Sequence, residues 1–193
     1  MKDFSPRAFG YGYPMPLLMV STYDENGTVN VMNLHWCTMN HGGYINLGVG
    51  TNKKTHENIE KMGAFTVALA TQNLMKEADY FGSVSGYVDS DKFAKAGLKA
   101  TKSRYVNAPI IEESTLVIEC ELAEIVRGNH IHAIVGKMVN ISVDESVLNE
   151  RGIIDPKKTG MLFFDSFSNS YFTLGDKVGN AWNEGKTLMT LRR

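Results

Sequence analysis

Four stretches of the 193-residue sequence carry side chains whose types and spacing could do chemistry. The first, Gly82-Ser83-Val84-Ser85-Gly86, superficially suggests a hydrolytic nucleophile elbow. That elbow needs Gly-x-Ser-x-Gly with serine third on a strand-to-helix turn, whereas here serine stands second and fourth and no strand leads directly into the loop. Nucleophilic hydrolysis is rejected. The stretch reads as a Ser/Gly loop, either plain surface or one whose N–H and hydroxyl groups wrap a ligand. The second possibility is metal ligation, because His130 and His132 at i and i+2 of a strand would share one face. Zinc takes three or four ligands, however, and His56-Glu57-Asn58-Ile59-Glu60 lacks the second histidine of HExxH. His35, Cys37 and His41 could join only through a fold-back, so a pair of barrel histidines without metal is the expectation.

The third stretch is Thr51-Asn52-Lys53-Lys54-Thr55, where a strand end, a turn and a helix start coincide. Free N–H groups of a first helical turn, the positive end of the helix dipole, a hydroxyl and an ammonium can converge there on one phosphate. The same spacing suits a solvated basic turn with an ordinary threonine cap. Neither a Walker loop (GxxxxGK[ST]) nor GxGxxG occurs. The fourth, Asn33-Leu34-His35-Trp36-Cys37-Thr38, mixes polar, aromatic and small side chains just after a strand, where a structural segment would alternate more regularly. It could give hydrogen bonds and a flat apolar contact to a planar heterocycle, or be a buried tryptophan beside a turn.

The elements that must position these residues are mostly strands. Leu17 to Tyr23 and Thr28 to Met32 flank Asp24-Glu25-Asn26-Gly27, whose Asn and Gly supply the positive φ of a tight reversal, so a β-hairpin is predicted. Tyr44 to Val49 is the next strand. It leads through Gly50 to Lys54 into a short helix capped by Thr55 and ended by Gly63. Phe65 to Ala70 returns as a strand. Asn73 to Phe81 and Asp91 to Gly97 read as short helices, the second capped by Asp91, with a polar loop from Gly82 to Ser90 between them. Thr115 to Val126 and His130 to Val143 form a long hairpin about Arg127-Gly128-Asn129, and Met161 to Phe164 and Tyr171 to Leu174 are short final strands. Few connections offer the dozen residues a parallel crossover needs. A mainly β fold, an antiparallel barrel with short covering helices, is expected over one domain spanning residues 1–193.

With 43% apolar and 21% charged residues the chain is not a disordered tail, and a net charge of −1 without a run of five like charges argues against nucleic acid. No span approaches the roughly 20 apolar residues of a membrane helix, and the N-terminal apolar run is short and broken by Pro14 and Pro16. Cys37 and Cys120, with no CxxC, fit a reducing cytoplasm, the expected location. Cys120 reads as core, and Cys37 as either a cofactor contact or filler.

Taken in order, Tyr13-Pro14-Met15-Pro16, Asn30 to Trp36, Lys54-Thr55-x-x-x-Ile59, Ser83 to Gly86, Asp91-Lys92-Phe93, Ala108-Pro109, Glu119-Cys120, Gly128-Asn129-His130 and Tyr171-x-x-Leu174-Gly175 resemble the flavin reductase-like family of FMN-binding split β-barrels, most closely its flavoredoxin branch. The resemblance implies a six-stranded antiparallel barrel, a homodimer and noncovalent FMN near the subunit interface. It makes Lys54 and Thr55, with Asn52, phosphate contacts. Asn33, His35, Trp36, Cys37 and Thr38 become the lining of the flavin, and Ser83, Ser85, Gly86 and Lys92 the groups that close around ribityl chain and ring. Lys92 near the pyrimidine edge would ease reduction. His130 stands where the family has a histidine on the nicotinamide side, although Asn129 replaces the family's Asp, and His41-Gly42-Gly43 replaces its proline patch. The implied activity is transfer of reducing equivalents, with NADH or NADPH or a redox protein partner as donor and no catalytic protein group. A carrier or flavin-storage protein without nicotinamide turnover, and a non-redox barrel that binds a small ligand, are the alternatives.

Overall fold

The computed structural model describes residues 1–5 and 12–189. Among the described residues, twelve strands and four α-helices follow in the order β1 (Met15–Pro16), β2 (Leu18–Tyr23), β3 (Val29–Leu34), β4 (Cys37–Asn40), β5 (Tyr44–Leu47), α1 (Lys54–Met62), β6 (Ala64–Leu69), α2 (Met75–Ser83), α3 (Lys92–Lys95), β7 (Ala100–Lys102), β8 (Pro109–Ile111), β9 (Leu116–Arg127), β10 (His132–Val143), β11 (Leu162–Asp165), β12 (Ser170–Thr173) and α4 (Lys186–Met189). Every strand pairing among them is antiparallel. Among the described residues no helix is long and apolar enough to cross a membrane.

The principal sheet runs β3-β2-β6-β9-β10-β5-β4, which puts the consecutive strands β3 and β4 at its opposite edges. Laid flat, strands ~4.8 Å apart would separate those edges by ~29 Å. The three Cα steps from Leu34 to Cys37 reach at most ~11 Å. The sheet must therefore curl until its edges approach, which makes it the expected barrel. β4 is an addition to the expected set. Counted with β3 as one strand interrupted at His35-Trp36, it leaves the expected six.

Curling gives the sheet a buried face on each side. Leu18, Val20, Ile45, Leu47, Phe65, Val67, Ile118 and Ile134 fill the inside together with Ile59 of α1. Met19, Val31, Ala68 and Val117 face outward onto Leu74, Ala78 and Phe81 of the α2 segment and Phe93 of α3. This explains why β2 and β6 are buried along almost their whole length rather than on alternate residues, Ser21, Thr22 and Thr66 included. Each fully buried large side chain contributes about 1.5–3 kcal/mol.

The turn at Asp24 to Gly27 forms as expected. Gly27 has φ +80, and Asp24 Oδ1 accepts from the N–H groups of Asn26 (2.9 Å) and Thr28 (2.8 Å). Gly63 and Gly97, at φ +69 and +75, end α1 and α3. His41-Gly42-Gly43 is the tight β4–β5 turn, with both glycines at positive φ. Two expected caps are absent. The residue before α1 is Lys53, and Thr55 lies inside the first turn with its hydroxyl turned to Asn30. Asp91 precedes α3 but makes no side-chain cap; its own N–H donates to Asp89 Oδ1 at 3.1 Å.

Candidate functional site

α1 begins where β5 ends, and its first intrahelical bond runs from Glu57 N–H to Lys53 C=O at 3.3 Å. The N–H groups of Lys54, Thr55 and His56 precede that bond, the ordinary state of a helix start. The helix start borders a cavity of about 140 Å³ lined by Asn30, Met32, Asn33, Lys53, Lys54, Thr55, Phe81, Gly82, Ser83, Val84, Ser85, Gly86 and Lys92. Residues from β3, α1, the end of α2, the following loop and α3 thus meet in one concavity.

A buried hydrogen-bond network locks the helix start to the β2–β3 hairpin. Asn30 Nδ2 donates to Thr55 Oγ1 at 2.9 Å, and Asn58 Nδ2 donates to Thr22 Oγ1 at 3.0 Å. Because the Thr55 oxygen is occupied as an acceptor, its hydrogen remains available to donate, and it has no acceptor among the described residues. Asn33 Oδ1 is the converse, a buried acceptor with no donor among the described residues. A ligand entering here meets an ammonium, a hydroxyl hydrogen and helix N–H groups for an anion, with a carbonyl oxygen for a hydroxyl or N–H.

The backbone comes close where glycine permits it. A Cβ on Gly86 would collide with Asn30 Oδ1 and stand 3.1 Å from Lys54 Cβ, and one on Gly82 would stand 3.2 Å from Asn33 Cβ. Lys92 closes the floor. It is buried, and its Nζ donates to the Val84 carbonyl at 2.9 Å and more weakly to that of Phe81 at 3.4 Å. Those carbonyls belong to the C-terminal end of α2, where a cation is favoured. Burial pulls its pKa down to about 8, with Lys53 adding to the fall and Asp89 opposing it.

The expected residues do not all meet. Asn33, Lys54, Thr55, Ser83, Ser85, Gly86 and Lys92 share the cavity, with the Ser83 hydroxyl donating to the Asp79 carbonyl of its own helix at 3.0 Å. Asn52 is exposed outside the lining, because the turn presents Lys53 in its stead. Trp36, Cys37 and Thr38 line a second, more open and apolar cavity of about 420 Å³ with Tyr13, Met15, Pro16, Asn46, Leu47, Gly48 and Ala133. Asn46 Oδ1 is buried there with no donor among the described residues. His35 lines neither cavity. Its ring packs 4.9 Å from Phe164, and burial lowers its pKa. Burial pushes Cys37 and Cys120 up to about 12, so both remain thiols at neutral pH.

The expected histidine pair is wrong in its membership. His130 is exposed in the β9–β10 turn, whereas His132 Nε2 lies 2.9 Å from Nε2 of His56 on α1. The strand begins only at His132, so the i, i+2 relation never applies. Among the described residues no three His, Cys, Asp or Glu side chains gather as a metal site. Sequence reasoning also missed Asn30 and Asn58. Their signal was a polar residue flanked by valines on a strand, and another on the inner face of a short helix.

Comparison with known proteins places the fold. The uncharacterised protein YdfE of Bacillus subtilis (strain 168) is 28% identical over 199 residues, which covers 94% of this chain and 93% of that protein. The flavoredoxin of Desulfovibrio vulgaris (Miyazaki F) superposes with a TM-score of 0.88 at 30% identity, covering 96% of this chain and 100% of that one. Flavoredoxin from Methanosarcina acetivorans gives 0.86 at 29% identity, over 98% and 99% of the two chains. A family model, the flavin reductase like domain, matches residues 10–168, and on that match the chain belongs to the flavin reductase-like family.

Proposed function

We propose that the protein binds FMN noncovalently, with the phosphate at the start of α1, and passes reducing equivalents from NADH, NADPH or a reduced protein partner to an acceptor. The observation that carries this is the cavity at the start of α1, lined by Lys53, Lys54 and Thr55, where the free N–H groups and positive end of a helix favour a dianion. Asn33 Oδ1, the unsatisfied acceptor beside them, suits a ribityl hydroxyl. The donor set therefore fits a phosphorylated polyol chain. A bound flavin would supply hydride or single-electron exchange at its own ring, so the protein needs no nucleophile.

The chain's residues bind, orient and tune. Lys54 and Thr55 anchor the phosphate, and Gly82 and Gly86 leave room for the chain to pass close to β3. Lys92 contributes a buried positive charge at neutral pH, which favours electron uptake by any group it faces. Trp36, exposed in the second cavity, offers a flat apolar surface, and His130 is the proposed contact on the nicotinamide side. A homodimer is part of the proposal. Exposed Trp36, Met39, Ile131 and Ile141 supply apolar surface for a second copy, and dilution on a sizing column tests it.

The test is titration of the apo protein with FMN, followed by flavin fluorescence. Charge-assisted hydrogen bonds contribute roughly 1.5–3 kcal/mol each, so the Lys54→Ala, Thr55→Ala double variant should lose about a hundredfold or more in FMN affinity. Protein that takes up no FMN, or a double variant that binds it as well as the parent, overturns the reading. Anaerobic addition of NADH or NADPH to the loaded protein then separates a reductase, whose flavin bleaches, from a carrier or storage protein, whose flavin stays oxidised.

A further inference from the structure

The Lys54 ammonium, assigned above to the incoming phosphate, already has an anionic partner. Its Nζ donates to Glu57 Oε1, one turn along α1, at 3.2 Å, and stands 5.6 Å from the centre of the Tyr87 ring. Glu57 is held from three sides. Oε1 also accepts from Lys61 Nζ at 3.0 Å, and Oε2 accepts from the Tyr87 hydroxyl at 2.6 Å. Lys61 reaches on to Glu25 Oε2 at 2.6 Å. Tyr87 belongs to the loop after α2 that supplies Ser85 and Gly86 to the cavity, so Glu57 also ties that loop to α1.

Resting on the phosphate reading, we infer that Glu57 is the resident counter-ion of Lys54 and competes with the ligand phosphate for its ammonium, weakening binding of phosphorylated ligands in particular. In the empty site the carboxylate neutralises Lys54. When a dianion arrives, Lys54 turns to it, and Lys61 with the Tyr87 hydroxyl keeps Glu57 satisfied. Neither state strands a charge, and the ligand can leave without exposing a bare ammonium. These donors hold the Glu57 carboxyl down to about 2, the Tyr87 hydroxyl first, then Lys61 and Lys54, so the competitor stays ionised at neutral pH. Loss of a partly exposed ion pair together with a nearby like charge is worth roughly three- to tenfold in affinity.

The experiment compares FMN with riboflavin, which lacks the phosphate, in the parent protein, Glu57→Gln and Tyr87→Phe, by fluorescence titration, and repeats the series calorimetrically with inorganic phosphate. Glu57→Gln keeps the size and an acceptor oxygen but removes the charge. It should bind FMN and inorganic phosphate roughly three- to tenfold more tightly and riboflavin unchanged, whereas Tyr87→Phe keeps the carboxylate, removes one of its donors and should leave the FMN-to-riboflavin ratio at or below that of the parent. A Glu57→Gln protein that binds FMN no more tightly, that loses FMN and riboflavin alike, or whose ratio is matched by Tyr87→Phe overturns the inference. Parent protein that fails to take up FMN removes the flavin reading, while tighter inorganic phosphate in Glu57→Gln still upholds the competition at Lys54.

Discussion

Replacing Gly86 by alanine adds one methyl group at a point where three elements meet. Gly86 does not occupy the left-handed region, so alanine brings no backbone strain and the effect is steric. The new Cβ would overlap Asn30 Oδ1, while Lys54 Cβ and Cγ stand at 3.1 and 3.3 Å. Asn30 is 7% exposed, and its Nδ2 is committed to Thr55 Oγ1 at 2.9 Å and weakly to Thr22 Oγ1 at 3.5 Å, so turning the carboxamide away breaks the bond that holds the helix start. Leaving that buried amide unpaired costs about 1–3 kcal/mol. For a chain of this length each kcal/mol lowers Tm by ~2–4 °C, so the midpoint should fall by roughly 2–12 °C. FMN affinity should fall with it, because Thr55 loses its orientation. The assay is thermal unfolding of the parent, Gly86→Ala, Asn30→Ala and the double variant. If the clash is with Asn30, the alanine at position 86 should cost less than about 0.5 kcal/mol once Asn30 has been truncated. An undiminished cost in the Asn30→Ala background would show that the loop, not the carboxamide, absorbs the methyl group, and the reasoning would fail.

Two further outcomes are expected. Gly136→Ala would drive a Cβ into Phe65 Cζ, with Cε1 of the same ring at 2.9 Å and Cys120 Cβ at 3.2 Å, inside a core where Phe65 is fully buried. Overpacking of this kind costs about 1–3 kcal/mol, and urea unfolding of a variant that matches the parent would refute the packing described for the barrel interior. The His56–His132 contact predicts a pH dependence. Burial, then His132, with Arg127 adding and Glu60 opposing, lowers the His56 pKa below its ordinary 6.5, so the unfolded chain binds the proton more readily. Stability should therefore be full above pH 6.5 and fall as the pH drops through that value toward the lower folded-state pKa. His132→Gln should flatten this fall in the urea midpoint, and equal slopes in both proteins would remove the pair as its cause.

How much of this was legible depended on the range of the interaction that decides each feature. The β2–β3 hairpin could be read because Asp24 and Gly27 make their turn contacts within four residues of each other. Gly63 and Gly97 likewise act on their own helices. The anion cavity was visible because Lys53, Lys54 and Thr55 fall between a strand and a helix, but the duty of Thr55 was not. Helix ends shift by one or two residues with context, and a shift of two, to Lys53, turns Thr55 from a cap into a first-turn residue whose hydroxyl turns to Asn30, 25 residues away. β4 escaped notice because Cys37–Asn40 is short, mostly exposed and mixed in polarity, an edge strand paired with β5 alone in its sheet. The partnership of His56 with His132 spans 76 residues and depends on which turn of α1 meets which residue of β10. The division of the fourth stretch between two cavities follows from the curl of the sheet, which no local pattern encodes.

His35 and Trp36 form a strap two residues long that joins one edge of the barrel to the other. Asn33 on one side of it belongs to the polar cavity, and Trp36, Cys37 and Thr38 on the other belong to the apolar one. The offset between the two cavities is thus a matter of covalent length, not of loop sampling. One extra residue in the strap would add ~3.5 Å of reach and, if taken up by sliding β4 one residue along β5, would exchange the inward and outward sides of β4, because facing alternates with every residue. Length at this point should be far less tolerant of change than amino-acid identity.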